Sequence, residues 1–156
     1  MGVSRVEKEC DLRAAVSLAL SEDEEAIIEE AVDGSELEVA VLARDGALLL
    51  SPPGEIVTEA GFYDYNTKYS SHTARFHLPA QLSLWEGAYV KQLAAAAFRL
   101  FGCRDLARVD FLRRTDGKIF FNEINTLPGF TAESLFHRLF GLIGVDPLTF
   151  LVEGRT

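Results

Sequence analysis

The stretch that decides the fold covers residues 108–130 and reads RVDFLRRTDGKIFFNEINTLPGF. Two runs rich in Val, Phe, Leu and Ile flank Asp116-Gly117, and this dipeptide between apolar runs predicts a β-hairpin. If these two residues form a two-residue turn, counting outward places Asp110 directly opposite Glu123. Two carboxylates that face each other across a strand pair repel, so their presence needs an explanation.

The two-residue period of a strand adds polar side chains to the same face. Asn125 lies on the side of Glu123 and Asp110, and Arg108 falls opposite Asn125 in this register. The other face is predicted to carry the apolar side chains of Val109, Phe111, Phe120 and Ile124. One face of the hairpin therefore gathers three oxygen donors and one guanidinium.

Two interpretations of this face remain open from the residues alone. Hard cations such as Mg²⁺ bind oxygen ligands, usually one or two carboxylates together with substrate phosphates, and an ion would turn the repulsion between Asp110 and Glu123 into attraction. A solvated outer face of a hairpin, with Arg108 and Arg113 reducing the negative charge, accounts for the alternation equally well.

Composition and charge narrow the class of protein. The 156 residues suffice for one domain, and the 48% hydrophobic and 10% aromatic content argues against disorder. The net charge of −9 argues against a general nucleic-acid or anionic-membrane surface. Cys10 and Cys103 form neither a disulfide framework nor a zinc spacing, and we expect both to be reduced and half-buried. The sequence contains no signal-peptide core and no membrane-length apolar run, which predicts a soluble cytoplasmic chain.

The periodicity predicts an α+β domain with a mainly antiparallel sheet and helices on one of its faces. Helices are expected at residues 7–20, 83–101, 132–143 and 146–153. Strands are expected at residues 26–32, 37–43 and 47–50, and near Ile56-Val57, before a long loop over 58–80. Ser4 is the predicted cap of the first helix. Ser83 and Glu86 form a capping box for the second, which ends at Gly102.

The order R-V-D, then N-E-I-N-T-L-P-G-F-T, resembles the C-terminal end of the ATP-grasp ligases, and closely the D-alanine–D-alanine ligase family with its D-Ala–D-lactate and D-Ala–D-Ser relatives. Three further segments are similar to that family in the same order: IIEEAVDGSELEVAVL at 27–42, FYDYNTKY at 62–69, and LFGCRDLARVDF at 100–111. The resemblance implies that residues 1–156 form the C-terminal domain of an ATP-grasp fold.

For the hairpin, the resemblance implies a metal and phosphate site. Asp110, Glu123 and Asn125 match the ligands of two Mg²⁺ ions, with Mn²⁺ as an alternative, and Glu123 bridges both ions. ATP is the co-substrate. Arg108 matches the residue that stabilises the tetrahedral transition state and the acyl-phosphate, and its planar fork suits phosphate or carboxylate oxygens. The simpler alternative for Arg108 is a cross-strand partner of the acids.

The resemblance also implies nucleotide contacts. Glu29 matches the hinge acid near the adenine amino group, and Glu36 matches the acid that binds the ribose hydroxyls. Taken alone, either would be a surface glutamate, and Glu30 and Glu38 are expected to be surface glutamates. Within the loop motif, Lys68 matches the lysine that meets ATP phosphate, Phe62 packs on adenine, and Tyr63 and Tyr69 belong to a lid that excludes water, with Tyr69 in a catalytic role.

The second substrate is expected to bind beside the predicted third helix. Gly129, Ser134 and Leu135 match the stretch that binds its carboxylate, and Ser134 also has a catalytic role in the family. The alternative for Ser134 is an ordinary helical serine. Leu135 favours D-alanine as the acceptor. His72, His77 and His137 show no ligand spacing, and we expect all three to be non-catalytic.

The family needs more than this sequence contains. Its N-terminal substrate domain and the first ATP-grasp half have no counterpart, and Gly2-Val3-Ser4 resembles the tail of the phosphate loop. The expected parent function is carboxylate–amine ligation through an acyl-phosphate for peptidoglycan precursors, with little activity of this chain alone. A separate N-terminal half or a homodimer is the expected partner. The alternatives are a non-catalytic Mg²⁺–nucleotide or interaction module, and a D-Ala–D-lactate or D-Ala–D-Ser ligase-like fragment.

Overall fold

The computed structural model describes residues 2–58 and 74–153, which form four helices and six strands. The helices are α1 (Glu9–Ala19), α2 (Leu84–Leu100), α3 (Leu135–Gly141) and α4 (Pro147–Glu153). The strands are β1 (Gly34–Arg44), β2 (Ala47–Leu50), β3 (Gly54–Thr58), β4 (Ala74–His77), β5 (Leu106–Arg114) and β6 (Ile119–Asn125). None of the helices within these two ranges is long and apolar enough to cross a lipid bilayer.

All the strands belong to one antiparallel sheet built around β1. The strand order is β4-β3-β1-β5-β6, and β2 pairs with the second half of β1. The longest pairing joins β1 to β5 over nine residue pairs, from Gly34↔Arg114 to Leu42↔Leu106. The predicted α+β class and the antiparallel sheet are therefore confirmed.

Helices cover both faces of the sheet, so the prediction that they lie on one face is wrong. On one face, Val39 of β1 packs with Phe98 of α2. On the other face, Ala40 packs with Phe136 and Phe140 of α3. Residues 37–42 of β1 are all buried, so side chains of both parities need cover, and a sheet that is apolar on two sides requires two helical layers.

The β5–β6 hairpin reaches the predicted register by an unpredicted route. Arg114 N–H donates to the Lys118 carbonyl at 2.8 Å and Gly117 has a φ of 86°, which makes the turn three residues long instead of two. An irregularity between Asp110 and Phe111 then shifts the pairing by one residue. The predicted pairs Asp110↔Glu123 and Arg108↔Asn125 are therefore confirmed.

The same irregularity overturns the predicted direction of Phe120. This residue pairs with Leu112, on the carboxylate side of the sheet, and the Arg114 guanidinium lies 5.4 Å from its ring centroid. Phe121 takes the expected place of Phe120 and contacts Phe111 edge to face, with ring centroids 6.2 Å apart. Between the turn and the irregularity, each β6 side chain therefore lies on the face opposite to the one that a two-residue turn would give it.

The capping box of α2 is confirmed. Ser83 Oγ accepts a hydrogen bond from Glu86 N–H at 3.2 Å, and Glu86 Oε2 accepts one from Ser83 N–H at 2.9 Å. Gly102, with a φ of 63°, follows the last turn of the helix. These contacts join residues close in sequence, which is why the sequence predicts them.

Four local predictions are wrong. Residues 26–32 form no strand: among the described residues no strand pairs with them, and Ile27 and Ile28 are 84% and 70% exposed. Helix α1 begins after Lys8 without a side-chain cap, so Ser4 does not cap it, and Cys10 on this helix is exposed. Strand β4 lies within the predicted loop, because it pairs with β3.

A buried carboxylate, Glu55 of β3, holds the α2 side of the sheet together. Its oxygens accept hydrogen bonds from Ser35 Oγ at 2.7 Å and Gln81 N–H at 3.3 Å, and they lie 3.2 Å from His77 Nδ1 and 3.5 Å from Arg113 Nη1. Burial alone would raise the pKa of Glu55, but these contacts outweigh it and hold the pKa below the usual 4.5.

This lowered pKa predicts a pH-dependent loss of stability. A carboxyl whose pKa is depressed in the folded state stabilises that state above its unfolded pKa, near 4.5, and the contribution is lost as pH falls through the folded pKa. Glu55→Gln should therefore lower the free energy of unfolding at pH 7, by a margin that shrinks below pH 4.5. Urea titrations across this range measure the effect. Glu133→Gln, at an exposed position, is the control. A margin that is independent of pH would contradict the prediction.

Candidate functional site

Strands β1 and β5 bring three carboxylates together on the α3 side of the sheet. Glu36 and Glu38 are two residues apart on β1 and so share a face, and Glu38 lies directly opposite Asp110 of β5. Each contributes one oxygen to a group whose atoms all lie within 4.8 Å of one another. The three residues are 7%, 2% and 0% exposed, respectively. We call these three residues the carboxylate cluster.

Arg108 binds this cluster. Its Nε donates to Asp110 Oδ1 at 2.8 Å and its Nη2 to Asp110 Oδ2 at 2.7 Å, and Nε also lies 3.3 Å from Glu38 Oε2. Burial alone would lower the pKa of Arg108, but the hydrogen bonds to Asp110 and the charges of Glu38, Asp110 and Glu36 raise it above its ordinary value. The guanidinium therefore stays charged inside the sheet face.

The other two predicted metal ligands lie beside the cluster on the edge strand β6. Glu123 pairs with Asp110 and Asn125 with Arg108, so their side chains share the face of the cluster. Glu123 is exposed, whereas Asp110 is fully buried. Asn125 Oδ1 accepts a hydrogen bond from Leu127 N–H at 3.0 Å, which fixes its side chain at the end of the strand. The polar side chains of this face therefore continue from the buried carboxylate cluster to the exposed Glu123 on β6.

The donor set of this face suits a hard divalent cation. All its ligands are carboxylate or amide oxygens, the type that Mg²⁺ binds. Arg108 brings one positive charge to three carboxylates, and a divalent cation adds two more. Placing charges of opposite sign together offsets the free energy of burying each of them. The residues present therefore fit a Mg²⁺ ion.

The structure brings together two of the three residues predicted to bind a substrate carboxylate. A Cβ added at Gly129 would lie 3.5 Å from Ser134 Cβ, and Leu135 follows as the half-buried first residue of α3. Ser134 is the N-cap residue, but its hydroxyl donates to the Thr131 carbonyl at 2.7 Å and accepts no capping hydrogen bond. Helix α3 packs on the cluster side of the sheet, through Phe136 against Ala40.

The burial of Glu38 contradicts its predicted surface position. The residue is 2% exposed and contacts Arg108. The sequence does contain a signal for this position, because the two-residue spacing of Glu36 and Glu38 places both acids on one face of a strand. What the sequence did not show is that β5 lies beside this part of β1 and brings Asp110 opposite Glu38.

The described part of the structure does not bring the remaining predicted site residues to the carboxylate cluster. Glu29 lies in the segment before β1 and is exposed. Four residues lie outside the described residues: Phe62, Tyr63, Lys68 and Tyr69. His77 contacts Glu55 on the opposite face, and His137 packs against Phe130, with ring centroids 4.6 Å apart.

The fold defines the class of protein. An antiparallel sheet flanked by helices is shared with solved ATP-grasp ligases. The D-Ala:D-Ser ligase VanG of Enterococcus faecalis matches with a TM-score of 0.84 and 33% identity, over 97% of this chain and 44% of that one. D-alanyl-alanine synthetase A of Vibrio cholerae matches with a TM-score of 0.81 and 31% identity, over 97% and 47%.

The family follows from the sequence comparison. The model of the D-ala D-ala ligase C-terminus matches residues 1–153, and the chain belongs to this family. It is 45% identical over 148 residues to D-alanine–D-alanine ligase A of Mesorhizobium japonicum, covering 92% of this chain and 42% of that protein. It is 44% identical over 158 residues to the D-alanine–D-alanine ligase of Mycolicibacterium smegmatis, covering 97% and 42%. The chain thus spans about two fifths of these relatives' length.

The burial of the two acids that Arg108 contacts, Glu38 and Asp110, predicts a large effect of its removal. Arg108→Leu leaves buried carboxylates without this guanidinium, and we expect the free energy of unfolding to fall by about 3 kcal/mol, since breaking a buried ion pair leaves uncompensated charge. Urea titration at pH 7 without divalent cations measures the change.

Strand β5 supplies a matched control for that variant. Arg114 also binds an aspartate two residues later, with Nε and Nη2 donating to Asp116 Oδ2 at 3.1 and 2.6 Å, but this pair is exposed to solvent. Exposed pairs contribute little, so Arg114→Leu should lose much less stability than Arg108→Leu. Equal losses in the two variants would contradict the assigned burial.

Proposed function

We propose that this chain is the nucleotide- and metal-binding C-terminal part of an ATP-dependent ligase. The reaction joins the carboxylate of D-alanine to the amine of a second D-amino acid and makes a peptidoglycan precursor in the cytoplasm. The observation that carries the proposal is the buried cluster of Glu36, Glu38 and Asp110 with Arg108. The D-alanine–D-alanine ligases similar to this chain support the choice of substrates.

In this proposal, Asp110, Glu123 and Asn125 hold two Mg²⁺ ions, with Mn²⁺ as an alternative. When bound, the ions neutralise charge on the ATP phosphates and on the transferring oxygens. The register of β5 and β6 supports this assignment, because it puts the side chains of the three residues on adjoining positions of one face. The buried Asp110 anchors the site, and the exposed Glu123 leaves its outer side open to a substrate.

Arg108 is proposed to bind the anionic groups of the reacting substrates. Its guanidinium is half-buried, charged and fixed on Asp110, so it presents a preorganised positive charge beside the metal ligands. Preorganised charge stabilises a transition state without reorganisation at the moment of reaction. The planar fork suits the oxygens of a phosphoryl or tetrahedral group.

The nucleotide is proposed to extend from the cluster along β1. Glu36 binds the ribose hydroxyls, and its burial beside the metal ligands supports a role inside the site rather than on the surface. Glu29 is proposed to meet the adenine amino group. The motif at 62–69 is proposed to supply Phe62 to adenine, Lys68 to phosphate, and the lid tyrosines Tyr63 and Tyr69.

The acceptor substrate is proposed to bind at the start of α3. Gly129, Ser134 and Leu135 contact its carboxylate, and the close approach of Gly129 to Ser134 supports a shared pocket. The acceptor proposed from Leu135 is D-alanine. Because the chain spans about two fifths of its curated relatives, the first-substrate pocket and the remaining phosphate contacts lie in an N-terminal half or in the partner of a dimer.

Nucleotide binding tests the proposal directly. Isothermal titration of the 156-residue chain with ATP should give a Kd in the micromolar range in the presence of Mg²⁺ and no measurable heat without it. The double variant Asp110→Asn/Glu123→Gln should abolish binding, because it removes the two charged metal ligands.

The matched control makes the same change in net charge away from the proposed metal ligands. Glu30→Gln/Glu133→Gln removes two exposed carboxylates and should bind as the native chain does. Absence of binding by a native chain that circular dichroism shows to be folded would contradict the proposal. Equal weakening in both double variants would show that general electrostatics, not ligation, governs the affinity.

The ligase reaction itself should need the rest of the enzyme. We expect no phosphate release from ATP and D-alanine by the chain alone. Co-expression with the N-terminal segment of the Mesorhizobium japonicum relative should restore it, because both jaws around the nucleotide and both substrate pockets are then present. Phosphate release is the measurement, and the Arg108→Lys variant of the same complex is the control for the reaction. A stable complex that binds ATP but stays inactive would contradict the proposed ligation.

A further inference from the structure

We propose that Glu38 is a positioning residue of this site: it is the carboxylate on which Arg108 stays anchored when Asp110 turns its oxygens to a bound cation. The inference rests on the proposed function, since it requires a cation at Asp110. It gives a role to a buried acid that is not among the proposed metal, nucleotide or substrate ligands.

The first observation is that Arg108 occupies both oxygens of Asp110. The two hydrogen bonds, at 2.8 and 2.7 Å, engage Oδ1 and Oδ2 at once. A cation at Asp110 competes for the same oxygens, and it also repels a guanidinium in contact with them, strongly so where water is excluded. Arg108 and the cation therefore cannot both keep full contact with Asp110.

The second observation is that a second carboxylate is already within reach of Arg108. Glu38 Oε2 lies 3.3 Å from Arg108 Nε, and Glu38 is itself 2% exposed. In the β1–β5 register Arg108 is opposite Ala40, so Glu38 is two residues from that position and Glu36 is four. Glu38 is the nearer of the two β1 acids, and a small rotation of the guanidinium suffices to transfer its hydrogen bonds.

Burial makes this second partner necessary. The Arg108 side chain is only 14% exposed, so when it leaves the buried Asp110 water replaces the lost contact only in part, and a second carboxylate within reach is favoured. With Glu38 present, Arg108 exchanges one acid for its neighbour and stays on the same face of the sheet. Cation binding at Asp110 then leaves Arg108 beside the metal, aimed at the anionic groups that the proposed reaction brings there.

The test follows the Arg108 side chain by NMR rather than by activity. In the ¹⁵N-labelled chain the Arg108 Nε–Hε signal is assigned by its loss in Arg108→Lys. On addition of Mg²⁺ the native signal should move while its exchange with water stays slow. In Glu38→Gln with Mg²⁺ that exchange should become faster by about tenfold or more, because the charged acceptor is gone. Glu30→Gln, an exposed acid of the same charge, should behave as native.

Each outcome decides the matter. Slow exchange in Glu38→Gln with Mg²⁺ would overturn the role of Glu38. If Glu38→Gln does not fold, the native titration decides: an Arg108 signal that Mg²⁺ drives into fast exchange shows that the guanidinium leaves for water, and the inference fails. If the backbone signals of Asp110 and Glu123 do not respond to Mg²⁺, no cation binds, and the proposed function falls together with the inference. A response there without movement of Arg108 overturns the inference alone.

Discussion

The pairing of β1 with β5 is the constraint on which the rest of this structure depends. Its nine residue pairs place Glu38 opposite Asp110 and Ala40 opposite Arg108, so one register builds the carboxylate cluster and seats its arginine. The same pairing carries Val39 and Val109 to the other face, where they pack with α2. A slip of one residue would exchange the two faces and put the acids into the apolar core.

The carboxylate cluster is unfavourable for folding, because three buried acids share one face of the sheet. Burying a carboxylate is unfavourable unless an opposite charge or hydrogen-bond donors accompany it, and here Arg108 provides part of that compensation. Apolar residues of the same size would pack into this face at a lower cost. The retention of acids here agrees with the proposed binding of cations, for whose contacts Arg108 would compete.

The buried carboxylates have different partners on the two faces of the sheet. On the α2 side, Glu55 is surrounded by donors from Ser35, Gln81 and Arg113, which fix the strands and the loop after β4 to one another. On the α3 side, three carboxylates share one face with Arg108 and lead outward to Glu123 at the sheet edge. The first arrangement suits a structural role, and the second suits exchange of ligands with the outside.

Much of this molecule follows from the sequence, since many of its elements rest on contacts between near neighbours. The turn around Asp116-Gly117 and the capping box of α2 join residues within a few positions of one another. The motif around Glu123 and Asn125 likewise resembles the family by its sequence alone. The Asp110↔Glu123 pair was predicted correctly even though the turn was one residue longer than expected, because a bulge restored the register.

Tertiary structure alone decided what depends on partners distant in the chain. Glu38 is buried because β5 lies beside it, and its spacing from Glu36 shows only that the two acids share a strand face. Both sheet faces are covered because α2 and α3 pack on opposite sides. Residues 74–77 form a strand because they pair with β3. Residues 26–32 have a composition suited to a strand but form none, since a strand needs a partner to pair with. Sequence fixes local preference, but burial and pairing are properties of the assembled chain.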